Sequence, residues 1–360
     1  MVHLEIGEPD FPTAPHVVAA AVEALAAGLT HYCPAAGTPE LREAAAAYFR
    51  RTRDVPTDSA SCLVATGAKP FIFFTVLATC GPGDEVVLPD PGFPIYESAV
   101  RFAGATPVPV PLVEADGFQL DPERLRALLS PRTRLVIVNA PHNPTGASVD
   151  AATADSIASV LEQSEAWILA DEIYSQLQYD SAFCSVARGG RLAGRTIVLD
   201  GVSKTYAMTG WRCGFAIVPQ PLVEPLVRFF VNSTSCVPPF VQHAAVAALE
   251  GPQDSIREMR EEFVRRRSIV VDGLNAIEGV TCGMPAGAFY AFPNVSALPL
   301  PADELAVRLL EEAGVATLAG TAFGRCGDGH LRISYANSEP NLREALSRIA
   351  GFTSSVRSGG

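Results

Sequence analysis

Six short, nearly continuous apolar runs constrain the fold of this chain more than any other feature. They are Cys62-Leu63-Val64-Ala65, Glu85-Val86-Val87-Leu88, Leu135-Val136-Ile137-Val138, Trp167-Ile168-Leu169-Ala170, Thr196-Ile197-Val198-Leu199 and Phe215-Ala216-Ile217-Val218. None alternates apolar with polar residues, as a strand with one wet face would, so each reads as a strand buried on both sides. Helical stretches separate them, and strands alternating with helices form a mainly parallel sheet covered by helices on both faces. The fold class is α/β.

The flanks read differently. Leu4 to Pro12 contains Gly7, Pro9 and Pro12 and is extended, because proline removes donors and breaks helices. A helix is expected from about Pro15 to Ala27, then a loop from His31 to Gly37, then a second helix with Thr38 as N-cap and Pro39 in its first turn. Leu41, Ala45, Tyr48 and Phe49 recur at helical spacing and face a core. Beyond about residue 265 the pattern becomes a long helix, a Gly/Pro-rich strand region from Cys282 to Pro293, a helix near Asp303 to Ala313, the strand His330 to Ser334 and a last helix Glu339 to Ala350. This is a smaller α+β lobe, and the tail 353–360 is expected to be disordered.

The balance of charge narrows the function. A net charge of −12 opposes broad nucleic-acid binding, and the one basic cluster, Arg265-Arg266-Arg267, follows Glu261-Glu262 and reads as a solvated helix face. No apolar run is as long as a membrane span and the N-terminus has no signal-like apolar region, so a soluble, cytoplasmic protein with no membrane partner is expected. The eight cysteines form no C-x-x-C and the six histidines no H-x-x-x-H pair, so no metal site and no disulfide framework is expected.

Of the 27 basic residues, only Lys69 and Lys204 are lysines. A Schiff base with an aldehyde cofactor requires a lysine amine, because the arginine guanidinium stays protonated. Compositional drift toward arginine explains the scarcity equally well. The position of Lys204 adds to it, since it lies just past the strand Thr196–Leu199, and open parallel sheets bind ligands beyond the carboxyl ends of their strands.

Other strand ends lead into polar groups in the same way. Gly67-Ala68-Lys69 opens a helix and offers free amides and a positive dipole to a phosphate, with Arg212 able to add a charge-assisted pair. A plain turn and a surface arginine are the blander readings. Asp171 follows an apolar strand and stays ionised if it meets a cation, such as a protonated pyridine nitrogen. Tyr174 and Asn143 can hydrogen-bond a phenolate oxygen on such a ring, and Phe93 can stack on it or merely fill its loop. Arg332, inside an apolar strand, can clamp a carboxylate bidentately or form a buried ion pair with an acidic residue of the lobe.

Asn143-Pro144-Thr145-Gly146, Asp171-Glu172-Ile173-Tyr174, Ser203-Lys204 with Gly210-Trp211-Arg212, and Leu331-Arg332-Ile333-Ser334-Tyr335-Ala336 occur in this order. In order and spacing they resemble the fold type I pyridoxal 5′-phosphate enzymes, and most closely the class I/II aspartate aminotransferase family. The likeness runs from Gly7-Glu8-Pro9-Asp10-Phe11 to the last helix. It implies a large cofactor-binding domain, 16–264, with a mainly parallel seven-stranded sheet between helices, and a smaller α+β domain from both chain ends, 1–15 and 265–360. It implies that Lys204 holds the cofactor as a Schiff base and shuttles a proton between the substrate α-carbon and cofactor C4′. Asp171 would hold the pyridine nitrogen, Asn143 and Tyr174 the ring oxygen, Phe93 the ring face, and Gly67, Ala68, Lys69 and Arg212 the phosphate. Tyr32 would reach the phosphate of a neighbouring subunit in a homodimer, and Arg332, Asn143 and the backbone at Gly7 would bind the substrate carboxylate.

Three departures accompany the likeness. Family members usually carry an arm or lid ahead of the segment matching Gly7, which here stands almost at the start, and this leaves closure of the site by such a lid open. Gly201 stands where the family often has a serine, leaving Ser203 as the nearest hydroxyl. Phe93 stands where a larger aromatic is common.

The expected activity is aminotransfer from an L-amino acid to a 2-oxo acid. The alternative is elimination, replacement or cyclisation on the same scaffold, because cofactor-binding motifs do not fix the fate of the reacting carbanion. A non-enzymatic amino-acid sensor is the third class, disfavoured by the charge and by the lack of any DNA-binding appendage. No residue spacing declares the substrate side chain, although His31, Tyr32 and Arg325 are placed to contact it.

Overall fold

All six apolar runs are strands in the computed structural model, which describes residues 1–358. In chain order the strands are β1 (Val2–His3), β2 (Cys62–Ala65), β3 (Glu85–Asp90), β4 (Thr106–Pro111), β5 (Thr133–Asn139), β6 (Trp167–Asp171), β7 (Thr196–Gly201), β8 (Gly214–Ile217), β9 (Tyr290–Ala291), β10 (Val315–Ala316), β11 (Leu318–Ala319) and β12 (Leu331–Ser334). Seven of them form one sheet in the order β2-β8-β7-β6-β5-β3-β4. Its neighbours pair in parallel except around β8, which runs antiparallel to both β7 and β2. Core residues line both faces, with Leu63, Val86, Leu135, Leu169 and Ile197 in one cluster and Val136, Val138, Ile168 and Ala170 in another.

The seventh strand is the one whose sequence disguises it. β4 reads Thr-Pro-Val-Pro-Val-Pro, and proline cannot donate to a ladder. Here β4 is the sheet edge and pairs only with β3. On that side Thr106 N donates to Asp84 O at 2.9 Å and Leu112 N to Asp90 O at 2.7 Å. Side alternation therefore turns Pro107, Pro109 and Pro111 toward the open edge, where no donor is needed.

The lobe is built from both ends of the chain. β1 pairs in parallel with β10, and β11, β12 and β9 form an antiparallel sheet. Its core gathers Val2 and Leu4 with Phe263, Val270, Leu274, Tyr290, Ile333, Tyr335 and Ile349. The helix Asp254–Asn275 runs unbroken through 264/265, so the boundary expected there falls inside one rigid element. The helix starts at Pro15 and Pro39 and Thr38's cap on Leu41 N, at 3.4 Å, follow the sequence reading.

Two expectations are corrected. The last helix spans Glu339–Ser358, with Phe352 and Thr353 buried, so residues 353–358 are ordered by packing; positions 359 and 360 of the expected tail lie outside the described residues. Of the arginine triplet only Arg265 is solvated. Arg266 is buried and pairs with Asp10 at 2.7 Å, and Arg267 pairs with Asp180 at 2.7 Å. The first of these pairs ties the N-terminal segment that carries Gly7 to the long helix.

Candidate active site

A cavity of about 470 Å³ opens at the carboxyl ends of β5, β6 and β7. Lys204 reaches it because β7 and β8 are antiparallel with Gly201 opposite Gly214, so 202–213 is the connection between them and carries both Lys204 and Arg212. The strands close tightly at that point. A Cβ on Gly201 would stand 2.9 Å from Gly214 Cα, and one on Gly214 would stand 2.5 Å from the carbonyl carbon of Gly67. Three glycines therefore draw the Gly67 turn, Lys204 and Arg212 together. The same contact accounts for glycine rather than serine at 201, while Ser203 lines the cavity.

The Lys204 amine donates to Gly7 O at 2.6 Å. Burial, with Arg212, Arg332 and Lys69 nearby, pushes its pKa down to about 8, against the opposing pull of Glu8. Such an amine is partly neutral, and thus nucleophilic, close to neutral pH.

The helix Lys69–Thr79 starts at the cavity, and the amides of Ala68 and Lys69 have no backbone partner among the described residues. Gly67 has φ +93°, and a Cβ there would overlap Arg212 Nη2. Arg212 is held by its own left-handed backbone, φ 56°, and by donation from Nη1 to Thr209 O at 2.9 Å. Two free amides, a helix N-terminus and a fixed guanidinium make a dianion cradle. Lys69 is exposed, with its ammonium 5.5 Å from the Phe93 ring centre.

Asp171 ends β6 and is buried. Its Oδ2 accepts from Tyr96 OH at 2.7 Å and its Oδ1 from Ile173 N at 3.3 Å. Burial still wins over these bonds and pushes its pKa up to about 6, so the carboxylate lacks a cation. Tyr96 was not singled out from the sequence; its only signal is its place one turn after Phe93, whose ring it meets edge-on at 5.9 Å. Asn139, opposite Asp171 across β5 and β6, was also overlooked. It donates to Asp171 O at 2.9 Å and accepts from Asn143 N at 3.1 Å, fixing the Asn143 turn against β6. His142 lies next to that turn but not in the cavity wall; burial pushes it down to about 3, so it is neutral.

On the lobe side, Arg332 projects from β12. Its Nη1 donates to Asn143 Oδ1 at 3.1 Å, and its guanidinium carbon lies 4.5 Å from the Tyr290 ring centre and 4.8 Å from that of Phe323. No carboxylate pairs with it among the described residues, and its buried Nε has no partner. Tyr290, a third residue absent from the sequence reading, bonds Tyr174 OH at 2.9 Å, and its hydroxyl occupies the space a side chain at Gly7 would need. Phe93, Asn143, Asp171, Tyr174, Lys204, Arg212, Arg332, Ala68, Lys69 and Gly7 all line the one cavity, and Gly67 backs Arg212. Tyr32 does not; it is 89% exposed, away from this chain's own site.

The polar groups left unmatched are an anion cradle, a buried carboxylate without a cation, a nucleophilic amine and a guanidinium with a free buried nitrogen. A phosphorylated pyridine aldehyde with an amino acid satisfies all four. Fold and site together define a pyridoxal 5′-phosphate enzyme of fold type I. The chain matches the family "Aminotransferase class I and II" over residues 1–349. It is 40% identical over 363 residues to an aspartate aminotransferase of Rhizobium meliloti, covering 97% of this chain and 88% of that one. It is 39% identical over 353 residues to the aromatic-amino-acid aminotransferase 2 of Thermococcus litoralis, covering 97% and 90%. The crystal structure of an aromatic aminotransferase from Pyrococcus horikoshii superposes with a TM-score of 0.96 at 38% identity, covering 99% of this chain and 96% of that one. The chain belongs to the class I and II aminotransferases, and is a transferase of amino groups that uses pyridoxal 5′-phosphate.

Proposed function

We propose that this aminotransferase works through Lys204, with acidic or aromatic L-amino acids as donors and a 2-oxo acid as acceptor. When bound, pyridoxal 5′-phosphate supplies an aldehyde and a ring able to take up the electron pair left by a departing α-proton. Lys204 would be the residue that holds the aldehyde carbon, and its amine, lowered to about 8, would move the proton between the substrate α-carbon and cofactor C4′. Asp171 would keep the pyridine nitrogen protonated, with Tyr96 holding Asp171 in place. Asn143 and Tyr174 would hold the ring oxygen, Phe93 the ring face, and Gly67, Ala68, Lys69 and Arg212 the phosphate. Arg332 clamps the substrate carboxylate, steadied by Asn143 and by stacking between Tyr290 and Phe323.

The observation that carries this reading is that Lys204, Asp171 and Arg332, contributed by separate parts of the chain, line one cavity. The donor class is supported by relatives named for aspartate and for aromatic amino acids. A homodimer is part of the proposal. Val18, Val22, Leu25 and Leu29 form an exposed apolar stripe on and just after the helix Pro15–Ala26, leading to Tyr32, and a second copy covering it would carry Tyr32 toward the neighbouring phosphate. So are the division into 16–264 and 1–15 with 265–360, and a cytoplasmic location; no helix among the described residues is long and apolar enough to cross a membrane.

The test is the absorption spectrum of the purified protein with cofactor, before and after single amino acids are added without acceptor. Conversion of the aldehyde form to the amine form, with one matching oxo acid released, is the expected result for an acidic or aromatic donor. Release of ammonia or a cyclised product, with the aldehyde form regenerated, would overturn the reading in favour of elimination or cyclisation.

A further inference from the structure

Beside the strand ends that present Asp171 and Lys204 lies a buried charge cluster with no part in the reaction just described. Arg53 ends the helix Pro39–Arg53 and is buried, with its guanidinium carbon 5.0 Å from the Tyr48 ring centre and 5.1 Å from that of Phe49. Its Nε donates to Glu172 Oε2 at 2.8 Å, and its Nη2 donates to Asp200 Oδ2 and to Ser175 Oγ. Glu172 immediately follows Asp171, and its Oε1 accepts from Ser185 at 2.6 Å. Asp200 lies within β7, four residues before Lys204; it accepts from Gly201 N at 2.6 Å and from Tyr48 OH at 3.3 Å. One planar fork thus joins two carboxylates at the ends of neighbouring strands, Glu172 directly after Asp171 and Asp200 four residues before Lys204.

Two buried carboxylates against one guanidinium are an expensive way to hold two strands, since apolar side chains of similar volume would do so at less cost. What the ions add is direction, because a bidentate guanidinium fixes the orientation of both partners. They also add charge. Asp200 is among the groups that oppose ionisation of Asp171; Arg53 favours ionisation of Glu172 and Asp200, against burial, which raises Glu172 to about 7 and raises Asp200 as well. The other titratable and charged groups against the cluster include Tyr48, Tyr206, Cys184 and Arg51.

We propose that Arg53 is a positioning residue for aminotransfer: through Glu172 and Asp200 it sets the ends of β6 and β7 so that Asp171 and Lys204 face the same cofactor. This rests on the roles given above to Lys204 and Asp171.

The test uses full-length holoenzyme of wild type, Arg53→Lys and Glu172→Gln. Lysine lacks the planar fork and cannot span Glu172, Asp200 and Ser175 at once, and glutamine keeps the volume and still accepts from Arg53. Four quantities are read: the pH midpoint of the bound cofactor's visible absorption, cofactor affinity, kcat against donor KM, and the thermal midpoint. In both variants the absorption midpoint is expected to move by about 0.5 pH unit or more. In Arg53→Lys, kcat is expected to fall at least about tenfold with KM within about twofold, as misplacement of reacting groups does. Unchanged absorption midpoint and kcat with only a lower thermal midpoint would overturn the proposal and leave the cluster a purely structural element. Should Arg53→Lys not fold, Glu172→Gln decides by its absorption midpoint alone. Borohydride reduction and peptide mapping of the wild type keep the two readings apart: label on Lys69 instead of Lys204 overturns the site assignment itself, and this proposal with it.

Discussion

Replacing Asp171 by Asn should make the cofactor-free protein more stable and the enzyme far slower. Burial moves the acidity of Asp171 from its ordinary 3.8 to about 6, which at 1.36 kcal/mol per pH unit corresponds to about 3 kcal/mol. The folded chain holds this proton between about pH 4 and 6 while the unfolded chain has lost it. Stability therefore falls as pH rises through that window, and the cost is fully present above it. Asparagine carries no charge and can keep a bond to each neighbour, accepting from Ile173 N and donating to the Tyr96 oxygen, so it removes the cost of the buried charge. For a chain of 360 residues, about 3 kcal/mol is about 4 °C in melting temperature. Melting curves of the two cofactor-free proteins at pH 8 and pH 4.5 give the comparison: a gain of that order at pH 8, shrinking to about a third of it at pH 4.5. Turnover should move the other way, because the pyridine nitrogen loses a buried counter-charge whose removal costs about 3–5 kcal/mol, roughly 100-fold or more in kcat. A variant no more stable than wild type at pH 8, or an advantage independent of pH, would refute the argument that Asp171 is a desolvated anion waiting for a cation.

The two lysines should behave oppositely. Lys204→Arg keeps a cation but abolishes borohydride trapping and turnover, whereas Lys69→Arg stays within about tenfold of wild type, since an exposed cation near a phosphate is replaceable. In the cofactor-free protein, condensation of Lys204 with a small aldehyde should be half-maximal near pH 8, not near 10.5, as followed by trapping rate against pH. Arg332→Gln should raise donor KM by roughly 10–150-fold, the equivalent of the 1.5–3 kcal/mol of a charged hydrogen bond, with cofactor affinity within about twofold. Gly67→Ala combines an unfavourable φ of +93° with a Cβ in the Arg212 guanidinium, and equilibrium dialysis should show cofactor binding weakened by at least about tenfold.

Residues legible in the sequence were those whose chemistry and position coincide. Lys204, Asp171 and Arg332 each follow or interrupt an apolar strand, and a charge in that place has few bland explanations. Tyr96, Asn139 and Tyr290 were not legible because each acts through a contact distant in sequence: Tyr96 with Asp171, Asn139 with the backbone of Asp171, Tyr290 with Tyr174. Edge strand β4 was hidden by its prolines, which are harmless only because the edge needs no donors on that side. Arg266 and Arg267 looked solvated because helical spacing cannot reveal that Asp10 and Asp180 come to meet them. In each case the missing information is a tertiary partner, and local pattern carries none.

Arginine excess, which at first only made the lysines scarce, has a physical reading once burial is known. Arg53, Arg266, Arg267 and Arg332 are all buried, and each is a fixed cation meeting a carboxylate, a carbonyl or an open anion position. A lysine at any of them would be pushed toward deprotonation by the same burial and could lose its charge. At Lys204 that push is useful, because burial that lowers the amine to about 8 is what makes it a nucleophile. The chain thus keeps its permanent charges on groups that cannot shed a proton, and places its one deeply set lysine where the proposed chemistry needs the proton shed.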